Sequence, residues 1–229
     1  MLRAIVFDFD GVIADAEPLH FAVFREVLRH DGIYISKEEY YERYLALDDR
    51  SFFIKVLKDS KKDFDNLMVE DYIEKKSMLF DKYLKEDIKL FPGVREFVNM
   101  LNGKYLLAIG SGAWKHEIEF ILQNAGIREK FLVIVSAEDV EKCKPDPEVF
   151  LKVLQRINEN LKPESNTVSP SECLVIEDSF SGIRAAKTAK MKSLAVTNSY
   201  PSEKLSEADL VVNSLEDVSI EDLEELFKA

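Results

Sequence analysis

The sequence predicts an α/β protein whose mainly parallel β-sheet carries a helical subdomain inserted after its first strand. Short apolar runs rich in β-branched residues alternate with helical patterns from about residue 87 onwards. Turn and helix-capping residues separate these runs, as expected for strand–helix–strand units. The stretch 17–86 breaks the alternation, because it contains helical patterns and no strand pattern. These three observations favour a sheet covered by helices on both faces, together with one large insertion.

Apolar runs along the chain are predicted to form the buried strands. The first run covers residues 2–7 and ends at Asp8. The later runs cover residues 105–109, 131–135, 173–176, 193–196 and 210–212, the last being the weakest. Runs of this length and composition are typical of strands that are buried on both faces of a parallel sheet.

Helical patterns lie between these strands at residues 94–101, 115–124, 147–157 and 179–189. Pro92-Gly93 precedes the first of these helices, and Pro147 opens the third. Asp178-Ser179 offers capping side chains at the start of the fourth helix. These turn and capping residues therefore predict the same helix starts as the hydrophobic periodicity.

The insertion contains helical patterns at residues 18–30, 37–44, 50–58 and 64–83. An excursion of this length cannot be a single loop of a compact domain. Ligands of open α/β sheets bind beyond the carboxyl ends of the strands, so we expect an insertion that leaves from this end to cover the site. We predict a catalytic core of residues 1–16 and 87–229 and a helical cap of residues 17–86.

Composition limits the class of protein. The chain is 46% hydrophobic, and its 31 Lys and Arg against 43 Asp and Glu give a net charge of −12. Such a surface repels nucleic acid and anionic membranes, so we expect neither as a partner. The apolar runs are too short for a membrane span or a signal peptide. We therefore expect a cytoplasmic monomer that acts on a small molecule.

Asp8 and Asp10 follow the first predicted strand in the segment Phe7-Asp8-Phe9-Asp10-Gly11. Two carboxylates this close repel each other unless a cation lies between them. One carboxylate can attack phosphorus, and a second that is partly protonated can act as general acid and base. The alternative is a pair of solvated aspartates in a turn, but the position at a strand end favours function.

Glu177 and Asp178 close the strand predicted at residues 173–176 in the same way. Asp178 could instead be only the N-cap of the helix that follows. Two acidic pairs at the carboxyl edge of one parallel sheet would form a cluster of oxygen ligands that suits Mg²⁺.

Ser111-Gly112 and Lys144 are weaker candidates. Ser111 follows a predicted strand, and the small residue Gly112 lets backbone N–H groups approach an anion. Lys144 precedes a helix that Pro147 opens, and it could bring a positive charge to the acidic residues and to a phosphate. Taken singly, Gly-Ser-Gly is a common loop and one lysine is usually solvated.

The order of these elements resembles that of the haloacid-dehalogenase-like hydrolase superfamily. Its four motifs are matched in turn by Asp8 with Asp10, by Ser111, by Lys144, and by Glu177 with Asp178. Residues 15–20, Asp-Ala-Glu-Pro-Leu-His, and residues 177–186 resemble the β-phosphoglucomutase-like branch. The resemblance implies a Rossmann-like core with a helical cap inserted after the first motif.

The resemblance also implies roles for these residues in a phosphatase that depends on Mg²⁺. Asp8 would be the nucleophile and Asp10 the general acid and base, while Ser111 and Lys144 would bind the transferring phosphoryl group. Mg²⁺ would be held by Asp8, by the backbone carbonyl of Asp10 and by Asp178, with Glu177 assisting.

Substrate contacts are also expected from Gly112, His20 and Arg50. Gly112 would contact the phosphate. His20 matches a position that couples cap closure to Asp10, although a packed helix histidine is the alternative. Arg50 could meet an anionic group on the substrate, or it could be a solvated arginine at a helix start.

Three departures from the mutase favour a phosphatase that hydrolyses a small phosphate ester. The stretch 45–50 lacks the lysine that the mutase carries there, and Ala16 stands where a Thr or Ser is usual. The loop Ser111-Gly112-Ala113 also differs from that of the mutase. A β-phosphoglucomutase-type phosphomutase stays open as an alternative. A non-catalytic phospho-acceptor or binding module is the third, but Asp10 and the large insertion argue against it.

Overall fold

The computed structural model describes residues 1–45, 47–87, 89–162 and 166–228, apart from the side chains at 81 and 84–87. The chain divides into two compact units. One comprises Met1–Asp15 and Lys89–Ala229, and the other comprises Ala16–Ile88. The role of the second unit as a cap stays a prediction.

The first unit is built on a parallel sheet. Within the described residues its strands are β1 (Ala4–Phe7), β2 (Leu106–Gly110), β3 (Phe131–Val135), β4 (Cys173–Glu177), β5 (Lys192–Val196) and β6 (Leu210–Val212). They lie in the order β3-β2-β1-β4-β5-β6, and every neighbouring pair is parallel. The predicted fold class, a Rossmann-like parallel α/β core with a helical insertion, is confirmed.

The central position of β1 determines where a ligand can bind. β1 pairs with β2 on one side and with β4 on the other, so the strand order changes direction between β1 and β4. In open α/β sheets this is the point at which ligands bind. Phe7 is in register with Ile109 and Ile176, and Asp8 N donates to the carbonyl of Ile176 at 2.9 Å. The residues that follow β1 and β4 therefore leave the sheet side by side.

The second unit is helical, as the sequence predicts. Its helices are α1 (Glu17–Arg29), α2 (Lys37–Arg43), α3 (Asp49–Asp59) and α4 (Asn66–Asp87). Asp48 caps α3 by accepting a hydrogen bond from Ser51 N at 3.0 Å. Aromatic side chains form much of the core of this unit, with the rings of Phe24 and Phe52 stacked at 3.8 Å.

Helices of the first unit pack on the sheet. They are α5 (Val94–Leu101), α6 (Lys115–Asn124), α7 (Glu148–Asn160), α8 (Phe180–Thr188) and α9 (Ile220–Glu225). Helix α7 buries Val149, Phe150 and Val153 in the core that β2 and β3 share. In the part of the chain that is described, no helix is both long and apolar enough to cross a membrane.

Candidate active site

Three buried carboxylates converge where β1 and β4 end. Asp8 follows β1, Glu177 is the last residue of β4, and Asp178 comes next. One oxygen from each of these residues lies within 4.8 Å of the others. Asp8 is 8% exposed, Asp178 5% and Glu177 0%, so water does little to screen their mutual repulsion.

Lys144 supplies a positive charge to this cluster. Its Nζ lies 2.9 Å from Asp8 Oδ1 and 2.7 Å from Glu177 Oε1. Burial alone would lower the pKa of Lys144, but the two carboxylates outweigh it and raise the pKa above the ordinary value. The side chain therefore stays an ammonium ion at neutral pH.

Glu148 holds the loop that carries Lys144. The Glu148 carboxylate accepts hydrogen bonds from the backbone amides of Glu141 and Lys142, each at 3.0 Å. The Asp146 carboxylate in turn accepts a hydrogen bond from Glu148 N at 3.0 Å. These contacts tie both sides of the loop to the start of α7 and thereby restrict where Lys144 can reach.

The Glu177 carboxylate lies against the N-terminus of α8. Its Oε2 accepts hydrogen bonds from Asp178 N and Ser179 N, both at 3.0 Å, and from Ser179 Oγ at 2.8 Å. A side chain at Gly182 would overlap the Glu177 carboxylate. Burial raises the pKa of Glu177, and the Asp8 charge raises it further against the opposing effect of Lys144.

Asp178 is not the N-cap of α8, which corrects that alternative. Ser179 occupies the cap position, and its Oγ accepts a hydrogen bond from Gly182 N at 3.1 Å. The Asp178 carboxylate instead joins the cluster and accepts a hydrogen bond from Ser199 Oγ. Burial raises the pKa of Asp178 well above its usual range, and the charges of Glu177 and Asp8 add to this effect.

The cluster fits a divalent cation. Oδ1 of Asp8 is buried beside the Lys144 ammonium, yet among the described residues it accepts no hydrogen bond of good geometry. Three carboxylates also carry more negative charge than one ammonium balances, and burial makes that imbalance costly. Carboxylate oxygens are hard ligands of the kind that bind Mg²⁺ in proteins, and one from each of the three residues lies within 4.8 Å of the others. The residues present therefore suit Mg²⁺.

Asp10 lies in a tight turn whose shape depends on Gly11. Gly11 has φ = 78°, and a side chain there would overlap the Asp178 carboxylate. Gly11 N donates to the carbonyl of Ala14 at 3.1 Å, which closes the turn. The turn is thus packed directly on the acidic cluster, and the role of Asp10 as general acid and base stays a prediction.

Ser111 and Gly112 follow β2, the strand beside β1. Ser111 is buried, donates its amide to the carbonyl of Val135 at 3.0 Å and accepts a hydrogen bond from Ala113 N at 3.2 Å. Apart from Gly112 itself and its two chain neighbours, nothing described lies within 4 Å of the position that a Cβ of Gly112 would take. The contact of Ser111 and Gly112 with a phosphoryl group stays a prediction.

His20 and Arg50 belong to the second unit and have partners there. The His20 ring stacks on Phe80 with 4.3 Å between centroids. Burial lowers the pKa of His20 well below its usual value, and the charge of Lys76 lowers it further. Arg50 forms an ion pair with Glu70, and Ala46, in the predicted stretch 45–50, lies outside the described residues. The predicted roles of His20 and Arg50 toward substrate stay predictions.

Two residues outside the predicted set contact the site. Asn198 Nδ2 donates to the carbonyl of Gly11 at 2.7 Å, and Ser199 Oγ donates to Asp178. Both follow β5, the strand next to β4. Polar residues at the carboxyl end of a strand were the available signal, since such positions face the ligand in open α/β sheets.

Comparisons with known proteins identify the family of the chain. Residues 5–196 match the family described as haloacid dehalogenase-like hydrolase. The phosphorylated carbohydrates phosphatase of Thermotoga maritima is 32% identical over 199 residues, which cover 84% of each chain. The β-phosphoglucomutase of Bacillus subtilis is 29% identical over 235 residues, which cover 98% of this chain and 95% of the relative.

A solved structure shares the fold of this chain. The crystal structure of CbbY from Rhodobacter sphaeroides in complex with phosphate has a TM-score of 0.84 at 26% identity and covers 98% of this chain and 100% of CbbY. The family match spans all four predicted motifs, from Asp8 to Asp178. The resemblance seen in the sequence is confirmed, and the chain belongs to the haloacid dehalogenase-like hydrolases.

Proposed function

We propose that this hydrolase is a Mg²⁺-dependent phosphatase that acts on a small phosphorylated metabolite, a sugar phosphate or similar, through an aspartyl phosphate on Asp8. The main support for this proposal is the arrangement of charged groups around Asp8. Its carboxylate lies 2.9 Å from the Lys144 ammonium and beside two further buried carboxylates, at the point where an open α/β sheet binds ligands. A nucleophile, a cation for a phosphoryl group and ligands for a metal are therefore within reach of one another.

The substrate class rests on relatives. The Thermotoga relative is named for phosphorylated carbohydrates, and another relative, from Escherichia coli, is a fructose-1-phosphate phosphatase that is 31% identical over 197 residues. These names support a phosphorylated sugar or sugar alcohol as the substrate of this chain.

The proposed reaction has two steps. An oxygen of Asp8 attacks phosphorus, the bond from phosphorus to the ester oxygen breaks, and Asp10 gives that oxygen its proton. Asp10 then takes a proton from water, whose oxygen attacks phosphorus and releases inorganic phosphate from Asp8. Lys144 and Ser111 bind the phosphoryl oxygens, on which negative charge accumulates during transfer.

Asp8, the backbone carbonyl of Asp10 and Asp178 would hold Mg²⁺, with Glu177 assisting. When bound, the cation would neutralise charge on the phosphoryl oxygens and reduce repulsion between the phosphate and the carboxylates. The shortage of positive charge among Asp8, Glu177 and Asp178 supports this assignment.

A phosphomutase is the second candidate function. The observation that favours it is the similarity to the Bacillus β-phosphoglucomutase along nearly the whole of both chains. The stretch 45–50, which lacks the lysine of the mutase, favours hydrolysis.

The test is a panel of phosphorylated metabolites incubated with the full chain and Mg²⁺, with release of inorganic phosphate as the readout. The Asp8→Asn variant is the blank for contaminating phosphatases, and Asp209→Asn, which removes an aspartate paired with Lys192, is the matched control. We expect release with wild type and with Asp209→Asn, and none with Asp8→Asn. A phosphorylated wild type that releases no phosphate from any ester would favour the non-catalytic phospho-acceptor.

A further inference from the structure

The loop that follows β5 contacts the acidic site at two points. Asn198 reaches the turn after Asp10, where its Nδ2 donates to the carbonyl of Gly11 at 2.7 Å. The next residue, Ser199, donates its hydroxyl to Oδ2 of Asp178. Neighbouring residues of one loop therefore bind the segments that follow β1 and β4, which are separate in the sequence.

Asp178 depends on Ser199 for its orientation. Asp178 is only 5% exposed, so the loss of a hydrogen bond to its carboxylate is costly. Glu177 and Asp8 repel it from within the same cluster. A hydroxyl that donates to Oδ2 holds the carboxylate against this repulsion and leaves its other oxygen available as a ligand.

Asn198 acts on the turn that carries Asp10. Gly11 has no room for a side chain, because the position of a Cβ overlaps Asp178 and lies 2.9 Å from Ser199 Oγ. Gly11, Asp178 and Ser199 are therefore in one tight contact. The amide of Asn198 holds Gly11 in this contact, and the carbonyl of Asp10 is attached to the nitrogen of Gly11.

We propose that Asn198 and Ser199 are positioning residues that hold the Gly11 turn and the Asp178 carboxylate in the arrangement that binds Mg²⁺. The inference rests on the proposed function, because it needs Mg²⁺ at this site. Partners that orient metal ligands typically contribute ~10–100-fold in metal affinity when they are removed.

The test compares Mg²⁺ binding by isothermal titration calorimetry for wild type, Ser199→Ala, Ser199→Thr and Asn198→Ala, all as the full chain. Thr197→Ala is the matched control, because the Thr197 hydroxyl lies in the same loop but donates to Asn213, at 3.1 Å. We expect Ser199→Ala to bind Mg²⁺ about 10–100-fold more weakly, and Asn198→Ala about tenfold more weakly. Ser199→Thr, which keeps the hydroxyl, and Thr197→Ala should bind like wild type.

Activity gives a second readout. Saturating Mg²⁺ should restore most of the turnover of Ser199→Ala, since only the arrangement of the ligands has changed. Unaltered Mg²⁺ affinity in both Ser199→Ala and Asn198→Ala would overturn the positioning role while leaving the phosphatase proposal intact. A wild type that binds no Mg²⁺ would overturn both the positioning role and the Mg²⁺-dependent phosphatase. The Mg²⁺ affinity of wild type therefore distinguishes failure of the positioning role from failure of the proposed function.

Discussion

The Lys144 ammonium lies 2.9 Å from Oδ1 of Asp8, so the proposed nucleophile is paired with the cation proposed to bind the phosphoryl group. The same ammonium contacts Glu177 at 2.7 Å. Lys144 thus connects two carboxylates that would otherwise repel each other in a buried place. Its loss should affect folding as well as activity.

Lys144→Met leaves buried carboxylates without their counter-charge, so we expect the free energy of unfolding to fall by about 3 kcal/mol in EDTA. Added Mg²⁺ should recover part of this loss, because a second cation then balances the cluster. Urea unfolding with and without Mg²⁺ measures both effects. Lys142→Met is the control, since Lys142 is exposed and lies 3.7 Å from Asp146. Equal stability of Lys144→Met and wild type in EDTA would contradict this account of the cluster.

Asp8→Asn should have the opposite effect on stability. It removes one negative charge from the cluster and keeps the shape of the side chain, so we expect the melting temperature in EDTA to stay level or rise. Turnover should fall by about 10³-fold or more, because an amide cannot attack phosphorus. Phosphate release and thermal melting on the same preparation test the two effects together. Activity above a tenth of the wild-type value would exclude a covalent mechanism on Asp8.

Much of this site was predictable from the sequence, because β-strand ends can be read from apolar runs. The runs that end at Asp8 and at Glu177 place their acidic residues at one edge of a parallel sheet without any knowledge of distances. The bounds of α5 and α6 also agree with the predicted 94–101 and 115–124. Here local pattern and tertiary packing point to the same structure.

Other features depend on packing that the sequence does not reveal. Either Asp178 or Ser179 has a side chain that can cap α8, and the choice follows from backbone angles and from the burial of Asp178. Asn198-Ser199 resembles an ordinary turn, and its contacts with Gly11 and Asp178 arise only because β5 lies beside β4. The short helix α9 has too few residues for a periodic pattern.

Metal exchange tests the acidic cluster directly. We expect EDTA to abolish phosphate release and Mg²⁺ to restore it, because the three carboxylates need a cation before a phosphate dianion can approach. Ca²⁺ should inhibit, since it favours looser and higher coordination than Mg²⁺. The measurement is the initial rate after dialysis against EDTA and addition of each ion. Full activity in the presence of EDTA would remove the metal from the mechanism.

Asp139, which lies outside the acidic cluster, is expected to make the stability of the fold depend on pH. Burial works against its ionisation, but hydrogen bonds from Arg156 at 2.5 Å and from Ser136 N at 2.9 Å outweigh this effect and lower its pKa from 3.8 to about 2. A folded-state pKa below that of the unfolded chain stabilises the fold above pH 3.8, and the contribution is lost as the pH falls toward 2.

The corresponding variant is Asp139→Asn. We expect it to lower the free energy of unfolding by about 1–2 kcal/mol at pH 7 and by progressively less below pH 4. Urea unfolding at pH 7, 5, 4 and 3 gives the comparison, with the exposed Glu203→Gln as the control. A difference of the same size at pH 7 and pH 3 would show that the loss comes from packing and not from charge.

The fate of the aspartyl phosphate separates a phosphatase from a phosphomutase. A mutase must hold a bisphosphorylated sugar long enough for it to turn over, and the stretch 45–50 lacks the lysine expected for this purpose. The cation in that stretch, Arg50, is already paired with Glu70. We therefore expect water to reach the phosphorylated Asp8 first, with Asp10 as its general base.

The measurement follows inorganic phosphate and glucose 6-phosphate together after β-glucose 1-phosphate is added to the enzyme and Mg²⁺. Hydrolysis predicts phosphate release in step with substrate loss and no requirement for a bisphosphate primer. Arg50→Ala tests the second unit in the same assay. If Arg50 helps to hold the sugar phosphate, its removal should raise KM for the sugar phosphate and leave KM for an aryl phosphate unchanged. Accumulation of glucose 6-phosphate much faster than phosphate, accelerated by a trace of glucose 1,6-bisphosphate, would identify the chain as a mutase, because only a returning phosphoryl group gives that product.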